Sequence, residues 1–71
     1  MSAERRQRLA RIDELEVEHN RLTILADAFD LVRTYLKTST AQSVAAAHGE
    51  VLEARTWTKQ MINDERKKLT R

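Results

Sequence analysis

Leu15, Leu22, Phe29 and Leu36 recur every seven residues, and Leu25 and Val32 divide those intervals into steps of three and four. Alternating steps of three and four are the a/d seam of a helical coiled coil. A second row lies beside the first: Val17, Ile24 and Leu31 also repeat every seven residues, with Ala28 and Tyr35 between the rows. At about 100° per residue, the two rows together cover roughly half the circumference of a helix. One helical neighbour needs only a narrow stripe. The width therefore predicts two neighbours, one from the same chain and one from another. Asn20, Thr23, Asp27, Asp30, Arg33, Thr34 and Lys37 form the opposite, solvated face.

The pattern predicts a first helix over about 3–37. Ser2 is placed to cap its orphan N–H groups, and Glu4 in the first turn suits the helix dipole. Thr38, Ser39 and Thr40 then interrupt it, and short hydroxyl side chains favour caps and turns over helix interiors. Ser39 and Gln42 have capping-box spacing, so a tight turn is expected at about 38–39. Were the helix continuous, the seam would run on into Ser43 and Glu50 and fail. A second helix is expected over about 40–69. Its stripe is Val44, Val51, Thr58 and Ile62, flanked by Ala47, Ala54, Leu52 and His48. The alanines let it lie close to Phe29, Tyr35 and Leu36, because small residues interdigitate with large ones. Gly49 falls on the polar side, where it marks a bend or a close partner contact.

The expected fold is thus all-α: one domain over 1–71, an antiparallel two-helix hairpin of coiled-coil type. Its core comprises Leu15, Leu22, Leu25, Phe29, Val32, Leu36, Val44, Val51 and Ile62, and the hairpin is expected to dimerise into a four-helix bundle. This layout resembles that of the Rop-type plasmid modulators, in which two helical hairpins form such a bundle. The resemblance is of layout alone. It matches no residue, and so implies no RNA binding.

Composition sharpens the picture. There is no Pro, no Cys and a single Gly, which favours helix throughout and excludes disulfides and thiolate metal sites. At 71 residues the chain has a marginal core of its own, and association is the remaining stabiliser. No apolar run approaches the ~18 residues needed to span a bilayer. Arg5, Arg6 and Arg8 are not followed by the apolar segment of a secretory signal. Glu4, Asp13, Glu14, Glu16 and Glu18 argue against a mitochondrial transit peptide. The expectation is a whole cytoplasmic gene product starting at Met1. Nine Arg against four Lys fits a GC-rich bacterial or phage genome.

Candidate chemistry is sparse. Glu16-Val17-Glu18-His19 has the Glu-x-x-His spacing of di-iron bundles. Both ends fall outside the apolar arc, however, and the second helix has no matching copy, so a solvated acidic patch is expected and neither metal nor cofactor. His48, at the edge of the second stripe, reads as a packed interfacial histidine. With no nucleophile–base pair and no phosphate loop, the chain reads as a binding protein and not an enzyme. An antiparallel hairpin would gather Arg5, Arg6, Arg8, Arg11, Arg66, Lys67, Lys68 and Arg71 at its open end, above an acidic block at Asp13, Glu14, Glu16 and Glu18. Such a tip suits an acidic protein or nucleic acid, although the net charge is only +2. Trp57 is the single Trp, and Trp and Arg dominate interface hot spots. Trp57, Met61, Arg55, Tyr35, Leu31 and Ile24 are therefore the expected partner-binding residues. The leading expectation is a protein-binding regulator, an inhibitor or adaptor of phage or mobile-element type, acting as a homodimer on a larger protein. The alternatives are a nucleic-acid-binding modulator using the basic tip, and a structural subunit or co-chaperone of a larger assembly.

Overall fold

In the computed structural model, the description covers residues 2–35 and 39–70, with side-chain environments for 2–35 and 42–70. Two helices are present, α1 over Ala3–Tyr35 and α2 over Ser39–Leu69. Ser2 caps α1: its Oγ accepts from the Arg5 N–H at 3.1 Å, and its carbonyl accepts the first helical bond, from Arg6. The second helix begins one residue before the expected Thr40. The connection, with Leu36, Lys37 and Thr38, lies outside the described residues, as do the side chains of Ser39 and Thr40.

The helices run antiparallel. Arg8 meets Glu65 at one end, and Arg33 meets His48 towards the other. At 1.5 Å per residue the 33 residues of α1 span about 50 Å, close to the long dimension of 55 Å. The seam on α1 is Arg8, Ile12, Leu15, His19, Leu22, Ala26 and Phe29, and on α2 it is Val44, His48, Val51, Arg55, Thr58, Ile62, Glu65 and Leu69. Every one of these is buried or half-buried, and every step is three or four residues. Leu15, Leu22, Phe29, Val44, Val51 and Ile62 thus take their expected places.

The second row of the α1 seam does not. Leu25 and Val32 stay 44% and 46% exposed, and the row facing α2 is Ile12, His19 and Ala26. The reason lies in α2, whose seam carries His48, Arg55, Thr58 and Glu65. Buried polar groups require partners, and turning α1 this way brings Arg33 to His48 and Arg8 to Glu65. Arg33, expected on the solvated face, donates from Nη1 to His48 Nδ1 at 3.1 Å. A guanidinium has only donors, so Nδ1 accepts and the imidazole carries its hydrogen on Nε2. The ring also stacks on Phe29, with centroids 6.2 Å apart. His48 is therefore 7% exposed within the seam, not at its edge. Thr58 satisfies itself by donating to the Ala54 carbonyl at 2.9 Å. Among the described residues no buried side-chain polar atom lacks a partner.

The resulting core is thin. Its buried apolar members are Ile12, Ala26 and Ile62. The chain exposes 5540 Å², against roughly 4,600 Å² for a compact protein of 8.3 kDa. Gly49 lies within the α2 helix with open space beside it. It has no positive φ, and a Cβ added there would meet nothing within 4 Å. Gly49→Ala is accordingly expected to stabilise the hairpin by about 1 kcal/mol, the helix-propensity difference. Chemical denaturation followed by circular dichroism checks this, and a destabilised variant would mean the position is covered by something outside the chain.

Candidate functional site: an unpartnered apolar face

In an antiparallel coiled coil the two g rows flank one side of the seam and the two e rows the other. The seam above puts Arg11, Glu18, Leu25 and Val32 on the g row of α1, with Ala47, Ala54, Met61 and Lys68 on that of α2. The e rows are polar on α1 apart from Leu9 (Leu9, Glu16, Thr23 and Asp30) and mixed on α2 (Ala45, Leu52, Lys59 and Arg66). The ion pair between Glu16 and Arg66 closes that side. The hairpin therefore has one polar side and one side that is apolar along most of its length.

The apolar side is uncovered. Val17, Ile24 and Leu31 are 49%, 70% and 61% exposed, Tyr35 76%, Trp57 60% and Met61 38%. On α1, Val17, Arg21, Ile24, Ala28, Leu31 and Tyr35 alternate in steps of four and three, which makes a second coiled-coil seam turned away from α2. Leu25 and Val32 bridge it to the groove beside α2, where Leu25, Ala28, Phe29, Val32 and Val44 line an open, wholly apolar depression. Trp57 and Met61 border the same side from α2. Together these side chains leave more apolar surface exposed than the scattered single residues usual on a monomer. Leu9 is the remaining exposed large hydrophobe among the described residues, and it stands on the e side.

Of the expected partner-binding residues, Trp57, Met61, Tyr35, Leu31 and Ile24 share this side. Arg55 does not join them. It is half-buried in the seam and, with Lys59, borders a shallow dent shared with His19 and Thr23, on the polar side.

The open end is basic but largely self-neutralised. Glu65, with a side chain 14% exposed, takes Arg8 at 3.2 Å, Arg11 at 3.6 Å and Lys68 at 3.8 Å. Arg8 also reaches Glu4, Arg66 pairs with Glu16, and Arg5 donates to the Leu69 carbonyl. Arg6 and Lys67 enter none of the described ion pairs, and Arg71 lies outside the described residues. Sequence reasoning missed Glu65 as the organiser of this end. The signal was available: Glu65 continues the Val44–Val51–Thr58 row by one more step of seven.

The Glu16–His19 pair is not the solvated patch expected. Glu16 is tied to Arg66, and His19 faces α2 as a half-buried seam residue. Among the described residues no group of three or more His, Asp or Glu is close enough to hold a metal ion, and no helix is long and apolar enough to cross a membrane. No family model, curated protein or solved structure matches the chain.

Proposed function

We propose that this chain is a non-enzymatic protein-binding regulator, an inhibitor or adaptor, that engages a larger protein through the apolar side of the hairpin. The observation that carries this reading is the second coiled-coil seam from Val17 to Tyr35, which is exposed, as are Trp57 and Met61 on α2. A chain with so thin a core gains from covering that side. Apolar area removed from water stabilises by about 25 cal/mol per Å². Either a second copy, closing a four-helix bundle, or a different protein would serve. The nucleic-acid reading is weaker, because four of the eight cations of the tip, Arg8, Arg11, Arg66 and Lys68, are paired with Glu65, Glu16 or Glu4.

The test pairs light scattering on the purified protein with partner capture by wild type and Trp57→Ala. Trp57 is mostly exposed, so the variant should fold normally. Capture should nonetheless weaken about tenfold or more, as truncated interface tryptophans commonly cost 2 kcal/mol or more. A monomer whose captured proteins are unchanged by Trp57→Ala and Leu31→Asp alike would remove the apolar side as the binding surface.

A further inference from the structure

We infer that the polar side of the hairpin carries an anion site at Arg55, Lys59 and His19, and that its ligand is the phosphoryl group of a small phosphorylated molecule. The site is separate from the apolar side, and the inference stands or falls independently of the protein-binding reading.

The seam itself points to the place. Of its polar side chains, Arg8 meets Glu65, His48 meets Arg33, and Thr58 donates to the Ala54 carbonyl. Arg55 and the His19 ring enter none of the described hydrogen bonds or ion pairs. Both are half-buried, and both line the same dent on the polar side. A guanidinium has five N–H donors and no acceptor, and a cation drawn into a helix interface is ordinarily paired. No buried side-chain polar atom among the described residues lacks a partner, so the nitrogens of Arg55 and His19 are open to solvent and to a ligand.

The surroundings set the sign of that ligand. Arg55 and Lys59 are four residues apart on α2 and so stand one turn from each other on one face. The dent they share with His19, of about 500 Å³, adjoins a second one, because His19 and Lys59 line both. Glu16 is the carboxylate in the lining of the pair, and Arg66 holds it. Asp13, Asp27 and Asp30 on α1 and Glu53 on α2 line neither dent, and none of them enters a described ion pair. Arg55 and Lys59 are thus cations without a described counter-charge.

The donors set its class. The hydroxyls of Thr23 and Thr56 are spent on the carbonyls of His19 and Leu52. Recognition therefore falls to a guanidinium, an ammonium and an imidazole N–H, brought from two helices. A carboxylate has two oxygens in one plane, which a single guanidinium satisfies. A phosphoryl group carries close to two charges and three strong acceptor oxygens, one for each of the three side chains. Such a ligand touches α1 and α2 together, so binding it stabilises the hairpin by mass action.

The experiment titrates the whole chain, at constant ionic strength, with phenyl phosphate, glutarate and a short single-stranded DNA. Binding is read from the Arg55 Nε–H and His19 ring signals by nuclear magnetic resonance, with His48 and Arg6 as references, and from the melting temperature. Phenyl phosphate is expected to shift Arg55 and His19 saturably, to leave His48 and Arg6 in place, and to raise the melting temperature. Glutarate should bind at least about tenfold more weakly, the loss of one charge-assisted hydrogen bond. Lys59→Gln should weaken phenyl phosphate by a similar factor, and Arg55→Met should abolish the response. Lys59 is exposed, so its variant tests the site even if Arg55→Met fails to fold. Unchanged affinity in Lys59→Gln, or equal shifts at Arg6, would reduce the effect to diffuse charge and overturn the site. Equal affinity for glutarate would overturn the phosphoryl ligand. A response to the DNA alone would assign the site to nucleic acid and overturn the small-molecule ligand.

Discussion

Replacing Ile62 with Ala is expected to unfold the hairpin at room temperature. Ile62 is 2% exposed and is one of the three apolar side chains buried among the described residues, with Ile12 and Ala26. Truncating a buried Ile to Ala costs roughly 2–5 kcal/mol, through lost transfer free energy and the cavity left behind. A single core in a chain of this size rarely supplies more than about 3–5 kcal/mol, so the loss is comparable with the whole stability. Met61→Ala removes a side chain of similar size next door, but one that is 38% exposed. It is expected to melt within a few degrees of wild type. Thermal melts followed by circular dichroism compare the two. If Ile62→Ala retained the wild-type melting curve, the α1–α2 seam would not be what holds the helices together.

Reversing Glu65 to Lys is expected to have the second-largest effect. The carboxylate lies within 4 Å of Arg8, Arg11 and Lys68, and its side chain is 14% exposed. Exposed ion pairs contribute about 0–1 kcal/mol each. A largely buried partner is different, because removing it leaves cations facing one another with little solvent between them. Glu65→Gln is expected to cost about 1–2 kcal/mol, and Glu65→Lys about twice that. The loss in Glu65→Lys should be partly recovered by raising salt, since screening weakens repulsion between the partly exposed cations. Urea midpoints at low and high salt measure both effects. A salt-insensitive loss would show that Glu65 acts by packing and not by charge. Freed from Glu65, Arg8 and Arg11 would also become available to phosphate. A gel shift with duplex DNA that appears in Glu65→Gln and not in wild type would show how far this one carboxylate masks the basic tip.

The helices, their antiparallel pairing and one row of the seam were legible because they follow from spacing alone. Leu15, Leu22 and Phe29 repeat cleanly, and the absence of Pro leaves nothing to interrupt the helix before Thr38. The second row was not legible, for a physical reason. The apolar arc of α1 runs from Leu22 and Phe29 through Leu25 and Val32 to Ile24 and Leu31, wider than one helix can cover. Hydrophobicity alone placed α2 nearer the centre of that arc, over Leu25 and Val32. It sits instead at the arc's polar edge, where His48 meets Arg33 and Glu65 meets Arg8. The apolar surface this leaves over is the candidate site. Trp57, Met61, Tyr35, Leu31 and Ile24 are exposed because they fall outside the seam. Arg55 was misplaced because proximity in sequence to Trp57 says little about which side of a helix a residue occupies.

The mixed polarity of the seam has one more consequence. Two helices joined by leucines alone could slide past each other by seven residues with little change in contact. Here each such step is penalised in both directions. Moved one way, Glu65 leaves Arg8 and Arg11 for Leu15 and Glu18; moved the other, it arrives near Glu4. Arg66 would exchange Glu16 for Thr23 or Leu9, and His48 would lose Arg33 for Ala26 or for the space beyond the end of α1. Buried polar residues are best known for fixing alignment in this manner. The same residues that thin the core thus confine the chain to a single alignment of its helices, and with it hold Trp57 and Leu31 at a constant separation along one side of the molecule.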